Sequence, residues 1–307
     1  MAYTKSFDGL NIFYDVAGEG APLLIINGFG PPCEWMAEMY GKHFEGRFQY
    51  AVSDLRGVGQ SDAPPNMDTI DLSDFARDHL SVMDAMGWER AHIYGGSMGA
   101  SIATELSILA PDRVRSVALG SLDCGYPNVM SRSFADVLRA RVRYGKSIKN
   151  QEVDPEGAAE IILEMYYGDK TGDAHPLLRD FIVDMLTRYP MVNDFPPLKV
   201  LASLPDDISS LIEALPETAE PVPSSAKPRR DFITGDLWER LEKVVPPTLL
   251  LHGMDDPLIP YQSAVYAASK ISRSELRLYN SMFHSISGSP QILKDIGDWM
   301  LRQPGTA

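Results

Sequence analysis

Cysteine is scarce: Cys33 and Cys124 are the only two in 307 residues. Two thiols supply neither a disulfide framework nor metal-ligand spacing, so both read as reduced, small apolar side chains. Long apolar runs are missing too. No stretch approaches the roughly 18 residues of a membrane-spanning helix, which argues against a membrane partner. The first residues (MAYTKSFDGL) lack the apolar segment of a secretory leader, so the expected location is the cytoplasm. The six histidines include no HExxH and no close helical pair, so no metal is expected. Positive charge is in deficit: 28 Lys+Arg stand against 42 Asp+Glu, a formal net charge of −14. Such a surface repels nucleic-acid phosphates and anionic lipid. It leaves the substrate open, because an acidic exterior can surround an apolar pocket.

What is present is an ordinary globular composition, 44% hydrophobic and 23% charged. The length suits one large domain with an insertion, or two smaller domains. Residues 10–16 (LNIFYDV) alternate apolar and polar side chains, as an antiparallel strand does. Residues 23–26 (LLII) form a continuous apolar run, as expected of a strand covered on both faces. Further strands are expected at 50–52, 91–94, 114–119, 248–252 and 275–279. Helical spacing marks 34–44, 72–86, 100–110 and 291–301, with Asp71 or Ser73 as a cap and Pro111 as a stop. Strands alternating with helices predict βαβ units and a mostly parallel sheet. The rhythm breaks after about residue 125. Residues 126–234 hold helical segments and many prolines but no convincing strand. The expected organisation is therefore an α/β core in two parts, 1–125 and 235–307, interrupted by a helical insertion at 126–234.

The most specific short feature is Gly95-Gly96-Ser97-Met98-Gly99, after a strand and before a helix. In that setting G-x-S-x-G is a nucleophile elbow: a sharp turn lifts the serine hydroxyl clear of the sheet, and small neighbours let strand and helix close up. A serine hydroxyl needs a base, and the base needs an orienting carboxylate. His284 is the one histidine after the last expected strand, and is the candidate base. The candidate acids are Asp255 and Asp256, in the loop Gly253-Met254-Asp255-Asp256-Pro257. Backbone donors for an oxyanion are expected from Met98, beside the serine, and from Phe29 in the loop Asn27-Gly28-Phe29-Gly30.

Taken together, NGFG, DLRGVGQS (54–61), GGSMG, GMDDPLIP and the late histidine resemble the α/β-hydrolase superfamily. The likeness covers about 8–125 and 235–303, and is nearest to small bacterial esterases, enol-lactonases and carbon–carbon bond hydrolases with a helical cap. The resemblance implies an α/β-hydrolase fold: a mostly parallel twisted sheet flanked by helices, with the insertion as cap. It implies a Ser97, Asp256, His284 triad, since relatives place the acid three residues after the glycine and follow it with a proline-containing turn. Asp123, after the strand that follows the nucleophile helix, is the reserve acid. Many relatives carry His-Gly where this chain has Asn27-Gly28. A serine in the elbow also argues against the dehalogenase and epoxide-hydrolase branches, which use aspartate there.

The expected activity is cofactor-independent cleavage of a carboxylic ester or lactone through an acyl-enzyme, on a largely apolar small molecule. Carbon–carbon bond hydrolysis of a diketone or ring-fission compound uses the same residues. A lyase or acyltransferase, or a ligand-binding receptor with little turnover, remains an alternative. Asn27, Trp35 and Met36 are candidate pocket residues. Met165, Tyr166, Tyr167, Phe181, Met185, Leu186 and Phe195 suit either an apolar lid or the insertion's own core. Arg132, Arg139, Arg141, Arg143, Lys146 and Lys149 read as a carboxylate-receiving patch or as a solvated helix face.

Overall fold

A computed structural model describes residues 1–28, 32–66, 70–125, 139–140, 142–143, 145–146, 154–167, 175–188, 204–205, 207–213, 236–284 and 289–303. Its strands are β1 (Ala2–Lys5), β2 (Asn11–Ala17), β3 (Ala21–Ile26), β4 (Phe48–Ser53), β5 (Ala91–Gly96), β6 (Val114–Gly120), β7 (Thr248–Gly253) and β8 (Ser274–Tyr279). They build one sheet in the order β1-β2-β4-β3-β5-β6-β7-β8. Pairing is antiparallel for β1 with β2 and for β2 with β4, and parallel from β4 through to β8.

The apolar runs explain the layering. Successive residues of a strand point to opposite faces. Leu24, Ile26, Ile93, Val117, Leu119 and Leu250 accordingly pack on one side, against α2 (Leu72–Ala85) and α3 (Met98–Leu109) through Phe75, Met83, Ile102 and Leu106. Leu23, Ile25, Tyr94, Ala118, Leu249 and Leu251 pack on the other. There they meet Met36 of α1 (Cys33–Met39), and Ile292, Ile296 and Trp299 of the closing helix Pro290–Leu301. Strands apolar on both faces can be parallel and central because helices cover both sides. Asp71 caps α2 with a reciprocal bond to Asp74, and Ala110 ends α3 just before Pro111.

Two expectations need correcting. β1 was not anticipated, because it is a short edge strand with alternate residues exposed and no apolar run. The helix expected over 34–44 is two pieces: α1 ends at Met39, and a separate single turn covers Gly41–His43. Gly41 marks the break, where a side chain would collide with the Tyr50 ring.

Between β6 and β7 the described residues contain no strand, and their regular elements are all helical: α4 (Pro155–Tyr167), α5 (His175–Arg188) and short pieces at Ser209–Glu213, Leu237–Arg240 and Leu241–Lys243. Met165, Met185 and Leu186 are buried, while Phe181 is exposed. Phe195 lies outside the described residues. Arg188 of α5 forms a bidentate pair with Glu38 of α1, at 2.8 and 3.1 Å. Among the described residues no helix is long and apolar enough to cross a membrane.

Candidate active site

Ser97 stands between β5 and α3 with φ 57° and ψ −125°, in a region that non-glycine residues avoid. Such a conformation costs on the order of 1–3 kcal/mol and persists only where neighbours enforce it. Here they do. A Cβ on Gly95 would lie 2.2 Å from the Gly99 carbonyl oxygen, and one on Gly99 would lie 2.2 Å from that of Ile26. The Ser97 N–H donates to the Gly120 carbonyl at 2.8 Å, which ties the turn to β6. Among the described residues the other non-glycine residues with positive φ are Ser121 and Ser281. Both border the same site. Ser121 donates its hydroxyl to the His284 carbonyl at 3.0 Å, and Ser281 lies in the loop that carries His284.

His284 Nε2 lies 3.0 Å from Ser97 Oγ, and His284 Nδ1 lies 2.8 Å from Asp256 Oδ2. Nδ1 faces a carboxylate, which can only accept, so it carries the ring proton; Nε2 is then bare and accepts from the serine hydroxyl. Asp256 follows β7. Its Oδ1 accepts the N–H groups of Leu258 and Ile259 at 2.8 and 2.9 Å. Burial works to raise the Asp256 pKa, but the imidazoles of His284 and His252 outweigh it and hold the carboxyl well below the usual range. The group is an anion.

Of the other candidate acids, Asp255 is half-buried beside Asp256. Asp123 uses Oδ1 to accept the Gly125 N–H at 2.9 Å. His284 Nδ1 bonds to neither. Met98 is the first residue of α3, where an N–H has no intrahelical acceptor. Phe29 lies outside the described residues. Its neighbour Gly28 passes close to Ser97, since a Cβ there would sit 3.5 Å from that of the serine.

The structure places the three candidate pocket residues in the interior. Asn27 is fully buried and gives its amide N–H to the Ser53 carbonyl at 3.0 Å. Trp35 packs with the α2–α3 side of the core, and Met36 with the opposite side. Of the basic cluster, Arg143 pairs with Glu164 of α4, and Arg132, Arg141 and Lys149 lie outside the described residues.

The DLRGVGQS motif is scaffolding in this structure. Asp54 accepts the N–H groups of Cys33 at 2.6 Å and Gln60 at 2.7 Å. Arg56 is buried against Asp78, and Ser61 Oγ bridges the Asp54 carbonyl and the Phe13 N–H. Cys33, Glu34 and Asp54 bring potential metal donors within 4.8 Å of one another. Burial pushes the Cys33 thiol far up, however, and both Asp54 oxygens already serve backbone donors. That is a poor donor set for a cation. Sequence reasoning missed Ser121 and His252; the signal for His252 was an imidazole four residues before the acid.

The family model described as "alpha/beta hydrolase fold" matches residues 21–288. A 2-hydroxymuconate semialdehyde hydrolase from Pseudomonas putida is 24% identical over 273 residues, covering 87% of this chain and 82% of that protein. A protein named "Putative carbamate hydrolase RutD", from Azorhizobium caulinodans, is 33% identical over 122 residues, 39% of this chain. That match spans 43% of the relative, less than half its length. Among solved structures, an esterase from Exiguobacterium antarcticum superposes with a TM-score of 0.68 at 18% identity, covering 97% of this chain and 98% of that one. The enol-lactonase from Burkholderia xenovorans LB400 gives 0.66 at 19% identity, over 98% and 100% of the two chains. At these identities the structural likeness is one of fold.

Proposed function

The chain belongs to the α/β-hydrolase fold family, and from that premise we propose that it is a cofactor-independent serine hydrolase cleaving a carboxylic ester or lactone. The observation that carries the reading is the line Ser97 Oγ to His284 Nε2 to Asp256, at 3.0 and 2.8 Å, on a strained elbow.

In this reading Ser97 Oγ attacks the substrate carbonyl carbon, and its proton passes to His284 Nε2. The imidazolium is stabilised by the Asp256 anion through Nδ1–H. The negative charge on the former carbonyl oxygen is met by the backbone N–H groups of Met98 and Phe29. Such donors are worth ~3–4 kcal/mol each to the transition state. As the tetrahedral intermediate collapses, the carbon–oxygen bond breaks and His284 returns the proton to the departing alkoxide. Water, deprotonated by the same imidazole, then releases the acid and restores Ser97. Residues 126–234 act as a cap over the two-part core of 1–125 and 235–307. Contact of Tyr166 in α4 with His284 supports that role. An apolar cover would favour a largely apolar substrate.

A second reading, hydrolysis of a carbon–carbon bond in a diketone-type compound, is favoured by one observation: the match to the 2-hydroxymuconate semialdehyde hydrolase runs over most of both chains. A panel of p-nitrophenyl esters, lactones and β-diketones separates the two. A serine-directed phosphonate should label Ser97, and Ser97→Ala should lose roughly 10⁴- to 10⁶-fold in kcat. Failure to label Ser97, or labelling at an unchanged rate in His284→Ala, sinks the serine mechanism. Labelling without turnover on any of the panel favours a binding protein.

A further inference from the structure

A second imidazole reaches the triad acid, and the acyl-transfer scheme makes no use of it. His252 lies on β7, fully buried, four residues before Asp256. Its Nε2 is 2.8 Å from the Ile259 carbonyl oxygen and 3.2 Å from Asp256 Oδ2. Both partners are acceptors, so Nε2 carries a proton. Nδ1 is buried and has no hydrogen-bond partner among the described residues. A proton there would be a buried donor without an acceptor, which is costly. The ring is therefore neutral, in its Nε2–H form.

Both carboxylate oxygens of Asp256 thus have close partners. Oδ1 takes the Leu258 and Ile259 N–H groups, while Oδ2 takes Nδ1–H of His284 and lies 3.2 Å from His252 Nε2, whose N–H it shares with the nearer Ile259 carbonyl. Ile259 closes the loop by giving its N–H to the carboxylate and its carbonyl to His252. On the serine-hydrolase reading, we infer that His252 is a positioning residue: it fixes the oxygen that Asp256 presents to His284 and limits the charge that oxygen offers. The geometric part follows because both imidazoles reach Oδ2, His284 Nδ1 at 2.8 Å and His252 Nε2 at 3.2 Å. The electrostatic part follows because an N–H on Oδ2 draws on the same charge that stabilises the His284 imidazolium. Loss of the donor leaves Asp256 a stronger partner for that cation, so the base protonates more readily.

The other groups around this cluster are Ser97 at Nε2 of His284, the Tyr166 ring from α4, and Asp255 as chain neighbour. Among the described residues no Arg or Lys forms an ion pair with Asp256.

The test compares His252→Phe, which fills the space without a donor, with His252→Gln, whose amide nitrogen can stand near the Nε2 position. Two readouts are taken: the pH profile of kcat/KM on a p-nitrophenyl ester, and the downfield proton resonance of the His284–Asp256 hydrogen bond. In His252→Phe the acid limb should move to higher pH by about half a unit to one unit, with kcat down about tenfold and KM nearly unchanged. The resonance should shift, and His252→Gln should recover part of both changes. If His252→Phe does not fold, His252→Asn, whose amide is too short to reach Oδ2, should show the same shift. An unmoved acid limb and resonance in a folded donor-less variant overturn the inference. Equal impairment of the Phe and Gln variants without a pH shift also overturns it, in favour of simple packing. Ser97→Ala on the same ester keeps the two readings apart. Its inactivity beside unmoved His252 variants refutes only the role of His252, whereas retained turnover refutes the serine mechanism and this role with it.

Discussion

The carbonyl oxygen of Tyr166 accepts the backbone N–H of His284 at 3.4 Å, and the two rings lie 5.1 Å apart at 54°. Tyr166 also packs on Leu258 and Ile259, the residues whose N–H groups hold Asp256. One side chain of α4 therefore touches both His284 and the loop that carries Asp256. The next residue, Tyr167, stacks edge-on against Phe283 at 5.6 Å.

Removal of the Tyr166 ring should loosen His284, the proposed base, without removing any of the proposed reacting groups. Aromatic pairs contribute about 0.5–1.5 kcal/mol beyond area, so Tyr166→Ala should lower kcat by about 3- to 10-fold. Tyr166→Phe, which retains the ring, should stay near wild type. Steady-state kinetics on one ester decides it, and a wild-type kcat in Tyr166→Ala refutes the coupling.

Gly99→Ala should be among the most damaging single-carbon changes in the chain. The added Cβ would meet the backbone carbonyl oxygens of Ile26 at 2.2 Å and Asn27 at 2.6 Å, and backbone cannot swing aside as a side-chain tip can. A loss of about 2–4 kcal/mol is expected, with the elbow opened. Thermal melting and phosphonate labelling should fall together. Gly157→Ala, on an open helix face where a Cβ meets nothing, is the control.

Asp54 gives the fold a pH dependence of defined sign. Burial pushes its pKa up from 3.8 to about 6, against the Gln60 and Cys33 N–H groups that favour the anion. A folded-state pKa above the unfolded value means that its stabilising contribution is complete below about pH 4 and lost as pH rises through about 6. Asp54→Asn cannot titrate. The melting-temperature advantage of wild type over Asp54→Asn should therefore be larger at pH 4.5 than at pH 7.5. Calorimetry at the two pH values measures it, and a constant gap contradicts the raised pKa.

Much of the core is legible in the sequence because parallel strands covered on both faces are short runs of Leu and Ile, as in residues 23–26 and 249–251. The proposed triad is legible for a different reason: each candidate follows a strand in a fixed chain order, and G-x-S-x-G carries its own steric logic. Spacing alone does not separate Asp255 from Asp256; the family likeness does, and the structure brings Asp256 to His284. β1 escapes because an exposed edge strand needs no apolar pattern. Ser121 escapes because its partner lies 163 residues away, which no local window contains, and His252 escapes because a histidine inside an apolar strand reads as core until the turn after it folds Asp256 back onto the ring. Trp35 and Met36 are neighbours in sequence and end up in opposite halves of the core, which only the register of the layers reveals.

Ser97 and His284 are 187 residues apart along the chain and 3.0 Å apart in space. Their meeting depends on β6 pairing with β7, which joins residues 117–120 to 248–251. Closing so long a loop is entropically unfavourable until the sheet contacts reward it, so distant strand pairing is intrinsically slow. On refolding from denaturant, helical signal can return while the serine remains unreactive. Active-site titration then counts only chains whose sheet has closed, and it serves as the clock for the last stage of folding.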